Sequence, residues 1–391
     1  MKRRYILLAA VVLIVMVSLS LFFTFNKPAS TTTPIYLGVE FTYGNQFSQL
    51  KALVDKVHGY SNLLVIGSLD LTYNQAALDE SCSYIAKSGL SFIVLFTTYT
   101  YYNYSIFNWI LNARQVYGNQ FLGIYKYDEP GGDQLDGRFM YVKNSGYPDN
   151  PDSYASDARI YVGTLGAMAN YWLNYTNRIF TGDYGLYWFD YDCSYSGVFG
   201  EFLTNQTNTE KQLTIALDRG AAQSFNQDWG VIFTYSTPQP PYLENGVAML
   251  QDMQTSYNAG AKYIVVFDYP TYPNTNLYGI LSQDQLNAMK NFWNQIHSDP
   301  GSFNSSSAQV AYVVPENYGF GFRNANDTIW GLFPGQDGNA STYDSSKIYN
   351  GTQTLLGEYG TRLNIIYDQP GVINSTMKNY QKVYYWNQTV T

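Results

Sequence analysis

After residue 34 the chain alternates short apolar runs with stretches of helical period. Continuous apolar segments begin at Ile35 (IYLGVEF), Leu63 (LLVIGS), Ser91 (SFIVLFT) and Phe121 (FLGIYKY), a repeat of 28 to 30 residues. Between them, Phe47, Leu50, Val54 and Val57 fall on one helical face, and Leu78, Cys82 and Ile85 on the next. Gly59, Gly89 and Gly118 stand where a left-handed residue ends a helix. Strands that are apolar on both sides, each followed by an amphipathic helix, predict a parallel sheet covered on both faces.

Residues 133–153, rich in Gly, Asp, Asn and Pro, read as an insertion, and a long helix follows to about Asn177. The alternation then predicts strands at Gly185–Asp190 (GLYWFD), Trp229–Tyr235 (WGVIFTY) and Tyr263–Asp268 (YIVVFD). Helices are expected around Glu210–Ser224, Leu243–Asn258 and Ser282–His297. Gln309–Val314 (QVAYVV) is either an eighth barrel strand or the first strand of a C-terminal unit. This series predicts a (β/α)8 barrel. A doubly wound open sheet is the alternative, but YLGVEFTYG lacks the Gly-rich dinucleotide fingerprint. After Pro300 the texture changes, with DPGSFNSSS reading as a linker. The expected organisation is residues 1–34 as basic flank, anchor and stalk, 35–300 as the barrel, and 301–391 as a small α/β domain.

Composition narrows the functions. Charged residues make up 13% of the chain, against roughly 25% in ordinary soluble domains, so the surface is built from amides and hydroxyls. The net charge of −8, with no basic run beyond Arg4, excludes nucleic acid as a partner. Met1-Lys2-Arg3-Arg4 precedes an apolar stretch from Tyr5 to Phe25, long enough to cross a bilayer with the basic end inside. A cleaved signal peptide is the rival, with a weak site at Pro28-Ala29-Ser30. An extracellular chain makes its Asn-x-Ser/Thr sites glycan acceptors. They stand at Asn103, Asn174, Asn205, Asn304, Asn326, Asn339, Asn350, Asn374 and Asn387. Only two histidines (His58, His297) and two cysteines (Cys82, Cys193, pairing open) occur. Ser-His-Asp, Cys-His and His-based zinc chemistry are thereby set aside, and no cofactor or metal motif is read.

Active sites of parallel barrels are built at the C-terminal ends of the strands. The predicted strand ends carry Glu40, Asp70, Asp128, Glu129, Asp190, Asp192 and Asp268, among aromatics that include Tyr127, Trp188, Tyr235 and Tyr269. Acids in an aromatic-lined mouth suit glycoside cleavage, which needs a protonated and an ionised carboxyl across the scissile bond. Each acid singly also fits a turn-forming or solvated role.

The YDEP at the end of the fourth strand resembles the Asn-Glu-Pro signature of the clan of retaining barrel glycosidases. That resemblance implies Glu129 as acid/base and Asp268, at the end of the seventh predicted strand, as nucleophile. Asp128 replaces the family's Asn, and Asp268 is one methylene shorter than its Glu, which suits an inverting route. FDYD resembles the Asp-x-Asp of chitinase-like barrels, whose catalytic Glu is replaced by Ser194, so Asp190 is a further catalytic or sugar-binding candidate. Glu40, Asp128, Asp192, Tyr127, Trp188, Tyr235 and Tyr269 complete the expected carbohydrate site. YGTRLNIIYDQPG and YQKVYYWN are similar to the amidotransferase-like domain of some β-galactosidases. Two functions follow: a membrane-anchored extracellular glycoside hydrolase, or a surface protein of the same fold that binds carbohydrate without cleaving it.

Overall fold

Eight parallel strands close into a barrel in chain order: β1 (Tyr36–Phe41), β2 (Leu63–Ile66), β3 (Ser91–Leu95), β4 (Phe121–Tyr125), β5 (Ile179–Asp183), β6 (Gly197–Leu203), β7 (Asp228–Thr234) and β8 (Tyr263–Asp268). The ring shuts where β1 pairs with β8, Gly38 opposite Val265. This computed structural model describes residues 35–42, 44–97, 101–138, 154–234, 243–268, 281–298, 308–330 and 345–388. The apolar 5–25 segment, Tyr235, Tyr269, Asn304 and Asn339 lie outside the described residues. No described helix is long and apolar enough to cross a membrane.

Strand parity explains the continuous apolar runs. Leu63, Val65, Ile93, Tyr125, Phe180, Phe199, Ile232, Tyr263 and Val265 fill the lumen. Their alternates, such as Leu37, Val39, Leu64, Ile66 and Val266, pack outward against the helices. Those helices include α1 (Phe47–Val57), α2 (Leu69–Tyr73), α3 (Gln75–Lys87), α4 (Ile106–Tyr117), α5 (Pro130–Leu135) and α6 (Tyr154–Leu173). They continue with α7 (Tyr187–Asp192), α8 (Asn208–Ser224), α9 (Gly246–Asn258) and α10 (Gln283–Ser298). Gly89 and Gly118 have positive φ, at 82° and 53°. Gly59 does not; helix α1 is capped by His58 in the right-handed region.

Three strand assignments change. GLYWFD is not a strand: Tyr187–Asp192 is helix α7, entered through Leu186 at φ 55°. The fifth strand lies upstream, at Ile179–Asp183, and the sixth, GVFGEFL, falls where none was expected. WGVIFTY and YIVVFD are therefore the seventh and eighth strands, and the barrel is complete by residue 268.

QVAYVV consequently belongs to a second sheet. There β9 (Val310–Val314) lies between β10 (Leu363–Tyr367) and β11 (Lys382–Tyr385), all parallel, beside helix α11 (Ser345–Tyr359). This sheet rests on α8. Gly220 allows the approach, since a Cβ there would stand 2.4 Å from the Ile365 carbonyl oxygen. Arg219, fully buried on the same helix, donates Nε to Asn364 Oδ1 (2.8 Å) and Nη2 to the carbonyls of Thr361 (2.6 Å) and Leu363 (2.9 Å). Its Nη1 reaches the Ala259 carbonyl at 3.3 Å, and burial lowers its pKa only to about 10, so it stays charged.

At the N-terminal mouth of the barrel, Asp228 takes the Lys262 ammonium at 2.7 Å and also pairs with Arg178. Arg178 donates to the Tyr263 hydroxyl (2.6 Å), and the Tyr263 ring stacks on Tyr36 at 5.2 Å. Cys82 and Cys193 are both buried and free. His58 and His297 hydrogen-bond carbonyls of their own helices, Val54 and Trp293.

Candidate active site

The fourth strand ends in an unusual piece of backbone. Tyr127 and Glu129 both adopt the left-handed region, at φ 58° and 47°, a conformation that strains residues bearing a Cβ. Asp183, at the end of β5, holds the segment in place. Its carboxylate accepts the N–H groups of Gly131 (2.6 Å), Gly132 (2.8 Å), Tyr184 (2.7 Å) and Gly185 (3.1 Å). A Cβ at position 131 would lie 2.5 Å from the Gly185 carbonyl oxygen, and one at 132 would meet the Tyr184 ring at 2.2 Å. The Pro-Gly-Gly after Glu129 therefore starts helix α5 at a proline and lets two bare amides reach a carboxylate.

Above the lumen opens a bowl of about 1270 Å³. Among the carboxyl groups that line it, four come from the ends of the barrel strands: Glu40 from β1, Asp128 and Glu129 after β4, and Glu201 from β6. Glu40 and Glu201 are lumen-facing by parity and almost fully buried. Glu129 and Glu201 lie near enough for each to shift the other's titration. Two neighbouring carboxyls this enclosed do not readily ionise together. Burial, then the charges of Glu129 and Asp128, push Glu201 well above the usual carboxylate range. Burial also raises Glu129, but the neighbouring Glu201 and the Arg138 guanidinium (3.5 Å) draw it back. Glu201 is thus the member that carries the proton.

Burial, with the neighbouring Asp128 charge, lifts Glu40 to about 8, partly offset by a hydrogen bond from Thr42 Oγ1 (3.2 Å). Asp128 is pushed up only to about 6 by the enclosing protein. It lies deep in the bowl yet open to the water there. The Tyr125 hydroxyl also donates to it. The polarity of that bond is fixed, because the Tyr125 oxygen already accepts the Gly182 N–H at 2.6 Å.

The remaining candidates fall in different places. Tyr127, Trp188 and Asp70 line the bowl. Trp188 also donates Nε1 to Gln369 Oε1 (2.7 Å) and stacks on Tyr367 at 5.2 Å. Asp192, at the end of α7, accepts Gln369 Nε2 at 3.3 Å, so both residues clamp the second sheet. Asp190 sits fully buried behind the rim and takes the Tyr161 hydroxyl at 3.3 Å. Burial, then the Asp183 charge, push Asp190 well above the usual carboxylate range, and burial raises Asp183 to about 7. Asp268 lies on the eighth strand with parity opposite to the lumen-facing Phe267. Its carboxylate accepts the Leu281 N–H at 2.8 Å, and it is not among the residues lining the bowl.

Glu201 was missed because its strand was missed. The signal was present: GVFGEF ends on the same Glu-Phe pair as YLGVEF, which places a glutamate inward at the top of β1 and β6 alike.

No protein-family model and no curated protein matches this chain. Among solved structures it is similar to glycoside hydrolases built on (β/α)8 barrels. An α-L-fucosidase, isoenzyme 2 from Paenibacillus thiaminolyticus, aligns with TM-score 0.50 and 9% identity over 85% of this chain and 58% of its own. This chain therefore spans under two thirds of the fucosidase. An endo-1,4-β-mannanase from Rhizomucor miehei aligns with TM-score 0.42 and 11% identity, over 68% of this chain and 95% of its own. The likeness is one of fold: a (β/α)8 barrel with helices.

Proposed function

We propose that this chain is a carbohydrate-active barrel that hydrolyses glycosides, with Glu201 as the proton-holding acid and Glu129 as its ionised partner. One observation carries the reading: a carboxyl at the end of β4 and a buried one on β6 line the same wide bowl, and the charge of Glu129 helps to raise Glu201. A glycosidic oxygen entering the bowl would come to lie between these two carboxyls. Glu201 then gives its proton to the departing oxygen, and Glu129, ionised and facing Arg138, attacks the anomeric carbon or activates water. Asp128 supplies a second negative charge to the developing oxocarbenium ion. This reverses the role that the family signature suggests for Glu129 and takes the partner from β6 in place of Asp268 or Asp190.

The reading extends to location. Residues 5–25 anchor the chain in a membrane, with residues 35–391 on the extracellular side carrying N-linked glycans. The exposure of Asn103, Asn174, Asn205, Asn326, Asn350, Asn374 and Asn387 supports this. The second reading, a binding protein without turnover, draws on the same bowl of acids and aromatics, used to hold a saccharide without cleaving it. Nitrophenyl glycosides of the common hexoses, pentoses and deoxyhexoses, screened against the full chain beside Glu201→Gln and Glu129→Gln, separate the two. Turnover lost in both variants supports the hydrolase, saccharide binding with no turnover in any of the three proteins supports the binding protein, and turnover unaffected by both substitutions removes the pair from the mechanism.

A further inference from the structure

The bowl does not end at the acids. It continues between the N-terminal half of α8 and helix α11, which follows the barrel in the chain yet turns one face to its mouth. On α11, Ile348, Thr352, Leu355 and Leu356 are buried, while Tyr349 and Gln353, one helical turn apart, line the bowl. Neither the Tyr349 hydroxyl nor the Gln353 amide hydrogen-bonds a described residue, and both are half-exposed. Across from them α8 contributes Leu213 and Leu217, also half-exposed and one turn apart, with Thr209 above. Gln206 completes the arm; its amide oxygen accepts the Leu203 N–H at 3.0 Å, which leaves its NH2 group to the cavity. Glu210, the one charged side chain among the described residues of this arm, is turned back onto its own helix cap, accepting Thr207 N–H at 2.6 Å and Thr207 Oγ1 at 2.8 Å.

Two leucines below, and amide and hydroxyl groups around, without a free charge, match the apolar face and hydroxyl edge of an uncharged sugar ring. A bowl of about 1270 Å³ also exceeds the ~300–1,000 Å³ of usual small-ligand sites. We infer that this arm, walled by the barrel on one side and by α11 on the other, is a second saccharide subsite for neutral glycosyl units, so that the substrate is an oligosaccharide. This rests on the carbohydrate reading of the acidic floor, and it gives the C-terminal segment a part in recognition.

The test compares two probes on the full chain: neutral tetrasaccharides of glucose, mannose, xylose and N-acetylglucosamine, and the matching nitrophenyl monoglycosides. Tyr349→Ala and Gln353→Ala should each lower kcat/KM on the tetrasaccharide about tenfold, leaving the monoglycoside unchanged, and Tyr349→Phe, which lacks only the hydroxyl, should keep a clear part of the loss. Equal rates on both probes, with unaltered thermal unfolding, overturn the subsite while the hydrolase reading stands. If the unsubstituted chain turns over nothing, the hydrolase reading fails, and calorimetric titration with the same tetrasaccharides decides. Binding weakened by Tyr349→Ala keeps the subsite, and binding that is absent or unchanged by it removes the subsite.

Discussion

The two ends of the barrel treat charge in opposite ways. At the N-terminal mouth, Asp228 stands between Arg178 and Lys262, with two tyrosine rings stacked over the lumen. At the C-terminal mouth, Glu40, Asp128, Glu129 and Glu201 share one bowl, and Arg138 is the cation paired with any of them. Both ends belong to the same strands and obey the same parity, so the difference lies in the residues placed there. Opposite charges stabilise one opening; like charges at the other stay together only by keeping protons. The lower end holds the cylinder shut, and the upper end is held in a state suited to proton transfer.

The comparison is broken most sharply by Glu201→Gln. A general acid contributes about 10²–10⁴-fold, and kcat on a glycoside found in the screen should fall by that order. Thermal unfolding should hold or move upward, because a neutral amide replaces a neutral carboxylic acid of the same shape. A second effect is the pH dependence of stability. Glu40, Asp183 and Asp128 titrate near 8, 7 and 6 in the folded chain, against about 4 when unfolded. Between those values the folded state binds more protons, so stability declines as pH rises from about 4 to about 8. Urea midpoints should therefore be higher at pH 5 than at pH 8, with a shallower decline in Glu40→Gln. At the other end, Asp228→Asn should lower stability by about 1–2 kcal/mol, a value between exposed and fully buried pairs, and leave kcat intact; urea unfolding beside a rate measurement checks both. The smallest change is expected of Tyr125→Phe. Asp128 loses its fixed donor and its pKa rises, so the acid limb of the kcat/KM profile should move upward by about one pH unit or less.

How far the chain could be read in advance depended on local signals. The first four strands stand between visible helix ends at even spacing, and YDEP marks a rim acid without further help. The fifth and sixth strands failed for a physical reason. IFTGD is short and ends on Gly-Asp, whereas GLYWFD is dense in aromatics, and a helix of 6 residues is too brief to display its period. GVFGEFL holds two glycines and a glutamate that look like interruptions until the barrel's parity gives each a side. Asp268 misled differently: counting alternate residues from Tyr263 puts Phe267 inward and turns the acid away. The contributions of Tyr349, Gln353 and Tyr367 to the bowl arise from tertiary docking and leave no local trace.

The guanidinium of Arg219 has a consequence for any attempt to divide the molecule. Its hydrogen bonds to Asn364, Thr361 and Leu363 come from residues more than 140 positions away, on the far side of the DPGSFNSSS segment. A chain cut at that segment would retain eight strands, but it would leave Arg219 with the Ala259 carbonyl alone of its described partners and uncover apolar surface such as Trp188, which stacks on Tyr367. Such a fragment should aggregate through that uncovered apolar surface. The boundary that the sequence advertises most clearly is thus a poor place to cut.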